Sequence, residues 1–182
     1  MPGVQSKSEL DDFYAAEDPW SYDSTPDDAQ RVARVLSALP ERTYERTLDV
    51  GCGNGFLTVR LPGDQLLGAD VSGKAVTWAR QRAVREAPGR DVSFVERSLF
   101  DLSPRDVGTF DLVVITGVLY PQYIGGGGAV VTEVLRGLLR ENAVFVSVHI
   151  DAWCTYRAPL TSLLISVDPY RERFHRLEVF QR

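Results

Sequence analysis

Leu48-Asp49-Val50-Gly51-Cys52-Gly53-Asn54-Gly55 is the stretch that decides the fold of this chain. The apolar run from Thr47 to Val50 ends in three glycines at alternate positions, and Phe56-Leu57-Thr58-Val59 then supplies residues that can open a helix. The stretch reads as strand, tight turn and helix start. Glycine is needed where φ is positive or where the backbone comes into contact with a bound molecule, so this spacing after a buried strand predicts a ligand cradle. A turn that merely packs helix against strand would carry similar glycines, and the context separates the two. A dinucleotide fingerprint would need glycine at Phe56, and a phosphate loop would end in Gly-Lys-Ser/Thr; neither is present. Asp49, two residues before the first glycine, would repel a pyrophosphate. A cationic ligand suits this mouth better.

Strands and helices alternate on either side of the turn. Ser8 is positioned to cap a first helix with Leu10, Phe13 and Tyr14 on one face, and Asp18-Pro19 breaks it before Trp20 and Tyr22. Thr25-Pro26-Asp27-Asp28 reads as cap, first-turn proline and dipole-favourable acids. The helix that follows carries Ala29, Val32, Ala33, Leu36 and Leu39 as its stripe, and Pro40 ends it. Leu66 to Asp70 is a second strand ending on an acid, 21 residues beyond Asp49. Ser72 caps the next helix, and Pro88-Gly89 stops it before strand Val92 to Val95. Phe110 to Ile115 is apolar enough for a central parallel strand buried on both faces. Gly125 to Gly128 precedes a helix with Val130, Val131, Val134, Leu135 and Leu138, which leads into strand Ala143 to Ile150. Residues 162–168 and 174–181 read as an antiparallel pair at the sheet edge. The expected fold is α/β: a Rossmann-like, doubly wound, mostly parallel sheet with an antiparallel C-terminal edge strand. Ligand loops then lie at the carboxyl ends of the strands.

The chain has 182 residues with 44% hydrophobic content, which fits one domain with a substantial core. We expect residues 1–45 to form a helical lid or cap and residues 46–182 the core. The absence of a ~20-residue apolar run argues against a membrane span. Met1 to Lys7 lacks the apolar centre of a secretion signal, so a cytoplasmic location is expected. Cys52 and Cys154 have no metal-type spacing to His149 or His175, and no metal site is expected. The net charge of −5 is concentrated in residues 1–30, with eight acids and one lysine, leaving 19 basic and 17 acidic residues elsewhere. That balance argues against a nucleic-acid partner.

Leu48 to Gly55, Asp70 and Phe110 to Ile115 together resemble a class I S-adenosylmethionine-dependent methyltransferase, over roughly residues 25–150. Phe13-Tyr14, Asp18-Pro19-Trp20-x-Tyr22 and Phe174-His175-Arg176-Leu177-Glu178-Val179 resemble the branch containing nodulation protein S, which methylates the nitrogen of an aminated oligosaccharide. The resemblance implies S-adenosylmethionine as cofactor, with S-adenosylhomocysteine as product. It places Asp49, Gly51 and Gly53 beside the methionyl part and ribose, and Asp70 with Val71 at the ribose, where one carboxylate can accept from both hydroxyls. It also places Ser98 and Leu99 at the adenine, Thr116 beside the methionyl end, and Trp20 and Tyr22 in a closing lid. Ser98 stands where the family often has an acid, with Asp101 an out-of-register alternative. Arg140-Glu141-Asn142 replaces a frequent Pro-Gly-Gly turn. Arg31 is a candidate partner of the cofactor carboxylate, against the plain reading of an exposed helical arginine.

Methyl transfer from a sulfonium needs alignment and water exclusion more than acid catalysis. An amine or hydroxyl acceptor must still lose a proton. Tyr120, His149 and Asp151 follow strands four and five, with His149 and Tyr120 the leading catalytic candidates and a satisfied core histidine the alternative for His149. Tyr123, Trp153 and Tyr156 are candidates for an aromatic wall. Thr116-Gly117-Val118-Leu119 replaces the motif of adenine-methylating DNA enzymes, which leaves a small-molecule acceptor such as an amino sugar. The competing readings are a catalytically silent cofactor-binding partner subunit and a nicotinamide-dependent reductase on the same topology. The oligomeric state is not legible.

Overall fold

The computed structural model describes residues 5–182, so Met1 to Val4 of the expected lid and of the leader reading lie outside the described residues. Seven strands form one sheet: β1 (Arg46–Val50), β2 (Gln65–Asp70), β3 (Asp91–Glu96), β4 (Phe110–Thr116), β5 (Leu139–Ile150), β6 (Thr161–Tyr170) and β7 (Arg173–Gln181). Their order is β3-β2-β1-β4-β5-β7-β6; the first five run parallel, and β7 is antiparallel to both β5 and β6. The direction of the chain order reverses between β1 and β4, where a doubly wound sheet opens a crevice at its carboxyl edge.

Among the described residues six helices accompany the strands: α1 (Lys7–Phe13), α2 (Pro26–Ala38), α3 (Gly73–Glu86), α4 (Pro104–Val107), α5 (Pro121–Ile124) and α6 (Gly128–Leu138). Side chains of β4 alternate between two cores. Val113 and Ile115 pack with Val131, Leu135 and Leu138 of α6, while Leu112 and Val114 pack with Val32 and Val35 of α2. Full burial on both faces explains why β4 is a continuous apolar run rather than an alternating one.

The structure departs from expectation in several places, each with a local cause. Ser6, not Ser8, caps α1, through a capping box in which Ser6 Oγ accepts from the Glu9 N–H and Glu9 returns a bond to the Ser6 N–H. Phe56 to Val59 opens no full helix, because Pro62 and Gly63 follow too soon; a single 3-10 turn, Thr58–Arg60, takes its place. The inner face of α2 carries Asp28, Arg31, Val32 and Val35, while Leu36 is exposed. β5 begins at Leu139, earlier than expected. Between its pairs Phe110↔Leu139 and Leu112↔Val144 it absorbs Arg140-Glu141-Asn142 in an irregularity, with Asn142 at φ 59°. That segment turns the chain where the family often uses glycines, helped by Arg140 pairing with Asp111 at 3.0 Å. The C-terminal pair is present and longer than expected, joined by a tight turn at Arg171-Glu172 with Arg171 at φ 51°.

Candidate active site

At the carboxyl edge of the sheet lies a cavity of about 860 Å³, walled by strand ends, by the segment before α2 and by the tip of the β6–β7 hairpin. Its floor begins where β1 ends. Gly51 has φ 71°, and a Cβ there would fall 2.1 Å from a Val118 methyl carbon; Gly53 has φ 53°, and its Cβ would meet the Tyr14 hydroxyl at 2.5 Å. Neither position tolerates a side chain. Gly51 faces the cavity, whereas Gly53 lies behind the wall and donates its N–H to Asp70 Oδ2 at 2.9 Å.

Asp70 ends β2 with both oxygens anchored, since Oδ1 accepts from the Ser72 N–H at 2.9 Å. Each carboxylate oxygen retains a second lone pair directed at other donors. Burial raises the Asp70 pKa, offset in part by these backbone bonds, and an added donor would act in the same direction as they do. Ser72 also caps α3 and donates to Asp11 of α1 at 2.6 Å, which ties the N-terminal segment to the same corner.

Asp49 lies under the wall, 1% exposed, with Thr58 donating to its Oδ2 at 2.7 Å and its Oδ1 unpartnered. Burial pushes its carboxyl up to about 6, against the lowering influence of Thr58 and Arg31. An orphaned buried acceptor beneath a glycine mouth fits a cationic ligand and does not fit a phosphate. Arg31 is buried rather than an exposed helical arginine. It pairs with Asp28 at 3.1 Å, approaches Thr116 Oγ1 at 3.4 Å, stacks on Tyr22 at 5.2 Å, and faces the cavity. The donor set therefore suits a nucleoside with a positive centre and a terminal carboxylate. Asp70 offers acceptors for a ribose, and Arg31 with Thr116 offers donors for the carboxylate.

Of the other residues singled out in the sequence, Trp20, Tyr22, Val71, Ser98, Leu99, Thr116, Tyr120, Tyr123 and Trp153 face the cavity. Asp101 and Asp151 do not, and Tyr156 is buried beside Thr132 instead. Ser98 Oγ accepts from the Phe100 N–H at 3.2 Å.

His149 is a correction. Its Nε2 accepts from the backbone N–H groups of Val118 and Leu119 at 3.2 and 2.9 Å, its Nδ1 meets Ser147 Oγ at 3.0 Å, and burial lowers its pKa to about 3. Val148 and Ile150 face the cavity and His149, between them, points away. It is a core histidine that fixes the loop after β4, and it has no lone pair left for an acceptor's proton. Tyr120 faces the cavity, accepts the Ile150 N–H at 2.7 Å, and is raised to about 12 by burial, so it offers a proton more readily than it takes one.

Sequence reasoning missed Tyr14, Arg97, Tyr170, Arg171 and His175 as wall residues. Tyr14 and His175 stood inside the two segments that marked the resemblance, which was the available signal. Tyr170 and Arg171 reach Asp28 of α2 at 2.8 and 2.6 Å, and Arg171 also donates to the Trp20 carbonyl at 2.8 Å. The hairpin tip and the lid thus meet over the cavity.

A family model for a methyltransferase domain matches residues 47–140, and the chain belongs to that family. Its fold is that of the class I, S-adenosylmethionine-dependent methyltransferases. Among curated proteins it is similar to nodulation protein S of Rhizobium tropici, 32% identical over 114 residues that make up 61% of this chain and 45% of the relative. The chain spans about half or less of the length of the curated relatives it matches. Among solved structures, the N-methyltransferase NodS from Bradyrhizobium japonicum WM9 in complex with S-adenosylhomocysteine superposes with a TM-score of 0.83 at 22% identity, covering 97% of both chains. The magnesium protoporphyrin IX methyltransferase ChlM from Synechocystis PCC 6803 gives 0.76 at 18% identity, covering 100% of this chain and 99% of the other. At those identities the superpositions establish the fold.

Proposed function

We propose that the protein transfers a methyl group from S-adenosylmethionine to a nitrogen or oxygen of a small molecule. The observation that carries this reading is the cavity at the ends of β1, β2 and β4, with Asp70 fixed on one side and Arg31 on the other. Bound S-adenosylmethionine would supply a sulfonium methyl, which passes in line to an acceptor lone pair as the sulfur–methyl bond breaks and the thioether S-adenosylhomocysteine leaves. The chain supplies position. Asp70 accepts from the ribose hydroxyls, Ser98 and Leu99 border the adenine, Arg31 and Thr116 take the carboxylate, and Asp49 sets a negative potential beneath the positive centre. Trp20, Tyr22 and Tyr14 close the cavity against water. With Nε2 of His149 occupied and Tyr120 raised to about 12, the acceptor reacts with its lone pair already free, and Tyr120 serves as a hydrogen-bond donor in the wall.

The family assignment favours this reading over a nicotinamide-dependent reductase. We place residues 5–45 as the cap of a single catalytic domain. Among the described residues no helix is long and apolar enough to cross a membrane, and no group of three or more His, Cys, Asp or Glu stands ready for a metal. Calorimetric titration with S-adenosylhomocysteine beside NAD tests the cofactor. Micromolar binding of the first and none of the second is expected, and the reverse would overturn the reading. Release of S-adenosylhomocysteine with amino sugars and phenols as acceptors then separates an enzyme from a silent subunit.

A further inference from the structure

The wall of the cavity is cationic in a chain of net charge −5, which bears on the acceptor. Lys7, Arg31, Arg97, Arg171 and Arg173 face it, against Asp70 and Glu172. Most of that positive charge is already neutralised. Arg31 and Arg171 share Asp28, and Lys7 is paired with Asp11 and Glu96. Among the described residues the side chains of Arg97 and Arg173 have no carboxylate partner, and the buried Nε of Arg97 has no hydrogen-bond acceptor at all. Arg97 follows β3 beside Ser98, on the adenine side.

Arg173 stands at the other end. Its guanidinium lies 4.7 Å from the centre of the Trp153 ring, Trp153 stands edge-on to Tyr120 at 5.8 Å, and Tyr123 is tilted against Tyr120 at 6.1 Å. A cation therefore borders an aromatic corner built around Tyr120, at the start of α5. His175, stacked on Tyr170 at 3.6 Å, is lowered to about 4 by burial and is neutral near pH 7, so it adds no positive charge to that of Arg173. Among the described residues the carboxylates that line the cavity are Asp70, at the end of β2, and Glu172, in the exposed hairpin turn.

We propose that the acceptor carries an anionic group, a carboxylate or a phosphate, which Arg173 grips while the acceptor's ring packs in the corner of Trp153, Tyr120 and Tyr123. This rests on the methyltransferase reading and adds the substrate's charge. A guanidinium stacked on an indole keeps its outer N–H edge free, and that edge matches two anionic oxygens at once. A plain amino sugar would bring an ammonium against Arg173.

The test is calorimetric titration of the full-length protein saturated with S-adenosylhomocysteine, using two matched sets of probes. One compares 3,4-dihydroxybenzoate with its neutral benzyl alcohol and its benzylamine; the other compares glucosamine 6-phosphate with glucosamine. The anionic member of at least one set is expected to bind tenfold or more tightly than its partners, and the set that responds separates carboxylate from phosphate. R173Q should weaken that binding about tenfold with S-adenosylhomocysteine affinity unchanged, and E133Q, on the exposed face of α6, should leave both unchanged. Preference for the neutral or cationic members, failure of every anionic probe to bind, or wild-type affinity for the anion in R173Q would each overturn the proposal. Loss of S-adenosylhomocysteine binding in the unaltered protein would instead strike the reading beneath it.

Discussion

Replacing Asp70 by asparagine tests the core of the site with almost no change of shape. In the native protein each carboxylate oxygen accepts one backbone N–H at 2.9 Å, from Gly53 and from Ser72, and keeps one lone pair for a ribose hydroxyl. Asparagine turns one oxygen into an NH₂ group, so whichever way the amide lies, a donor faces Gly53 or Ser72 and one ribose bond disappears. A lost charge-assisted hydrogen bond is worth about 1.5–3 kcal/mol, and the displaced backbone N–H adds up to about 1–3 kcal/mol, shared between the free and the bound protein. Affinity for S-adenosylhomocysteine should therefore fall by about 2–4 kcal/mol, roughly 30- to 1,000-fold. The melting temperature should fall by several degrees, since the glycine turn loses a tie even without ligand. Calorimetric titration at neutral pH reads the first quantity and a thermal melt the second. Affinity within threefold of wild type in a folded D70N protein would remove Asp70 from the ligand's sugar and overturn the reasoning.

Three further perturbations probe the residues around it. Asp49 titrates near 6 in the free protein, and a cationic ligand favours its ionised form. Binding thus expels a proton, and S-adenosylmethionine affinity, measured without an acceptor, should rise from pH 5 to about 7 by roughly tenfold and then level off. D49N should remove most of that slope, and an unchanged slope would shift the titration to Asp70. His149→Ala strands the Val118 and Leu119 N–H groups, which should lower stability by about 2–4 kcal/mol in a denaturant melt. The pH profile of turnover per folded molecule should keep its shape, and loss of an inflection in the mutant would restore His149 as the base. Arg82, 1% exposed, joins α3 to the glycine turn through the Asn54 carbonyl at 3.1 Å and to the lid through Asp23 at 2.6 Å. R82M should cost about 3–5 kcal/mol and speed proteolysis between residues 14 and 25. Unaltered protection there would mean that the lid is held by other contacts.

The sheet was legible because its parallel strands are buried on both faces and therefore read as short apolar runs between turn residues, β4 above all. The failures came where polarity is buried. An apolar-stripe reading of α2 favours Ala29, Ala33 and Leu36, yet the helix turns Asp28 and Arg31 inward, because Tyr170 and Arg171 of the distant hairpin complete an ion cluster around a fully buried Asp28. No periodicity in the helix itself carries that information, since the partners lie more than 140 residues away. Phe56 to Val59 reads as a helix start, but β2 follows so closely after Pro62 that only a single 3-10 turn fits between them.

The same distinction runs through the candidate site. Asp70, Val71, Ser98 and Thr116 follow strand ends, and once the strand order is known their place on the cavity rim follows from topology. His149 lies at the end of β5 and would share that logic, but strand alternation sends Val148 and Ile150 to the cavity and turns His149 onto the loop after β4. One residue of register separates a base from a brace. The lid and hairpin contributions, Tyr14, Tyr170, Arg171 and Arg173, depend on two chain ends meeting across the sheet, and that meeting fixes the charge on this wall of the cavity. Strand-end residues can thus be placed on the cavity rim from the sequence, whereas the opposite wall depends on long-range contacts about which the glycine turn carries no information.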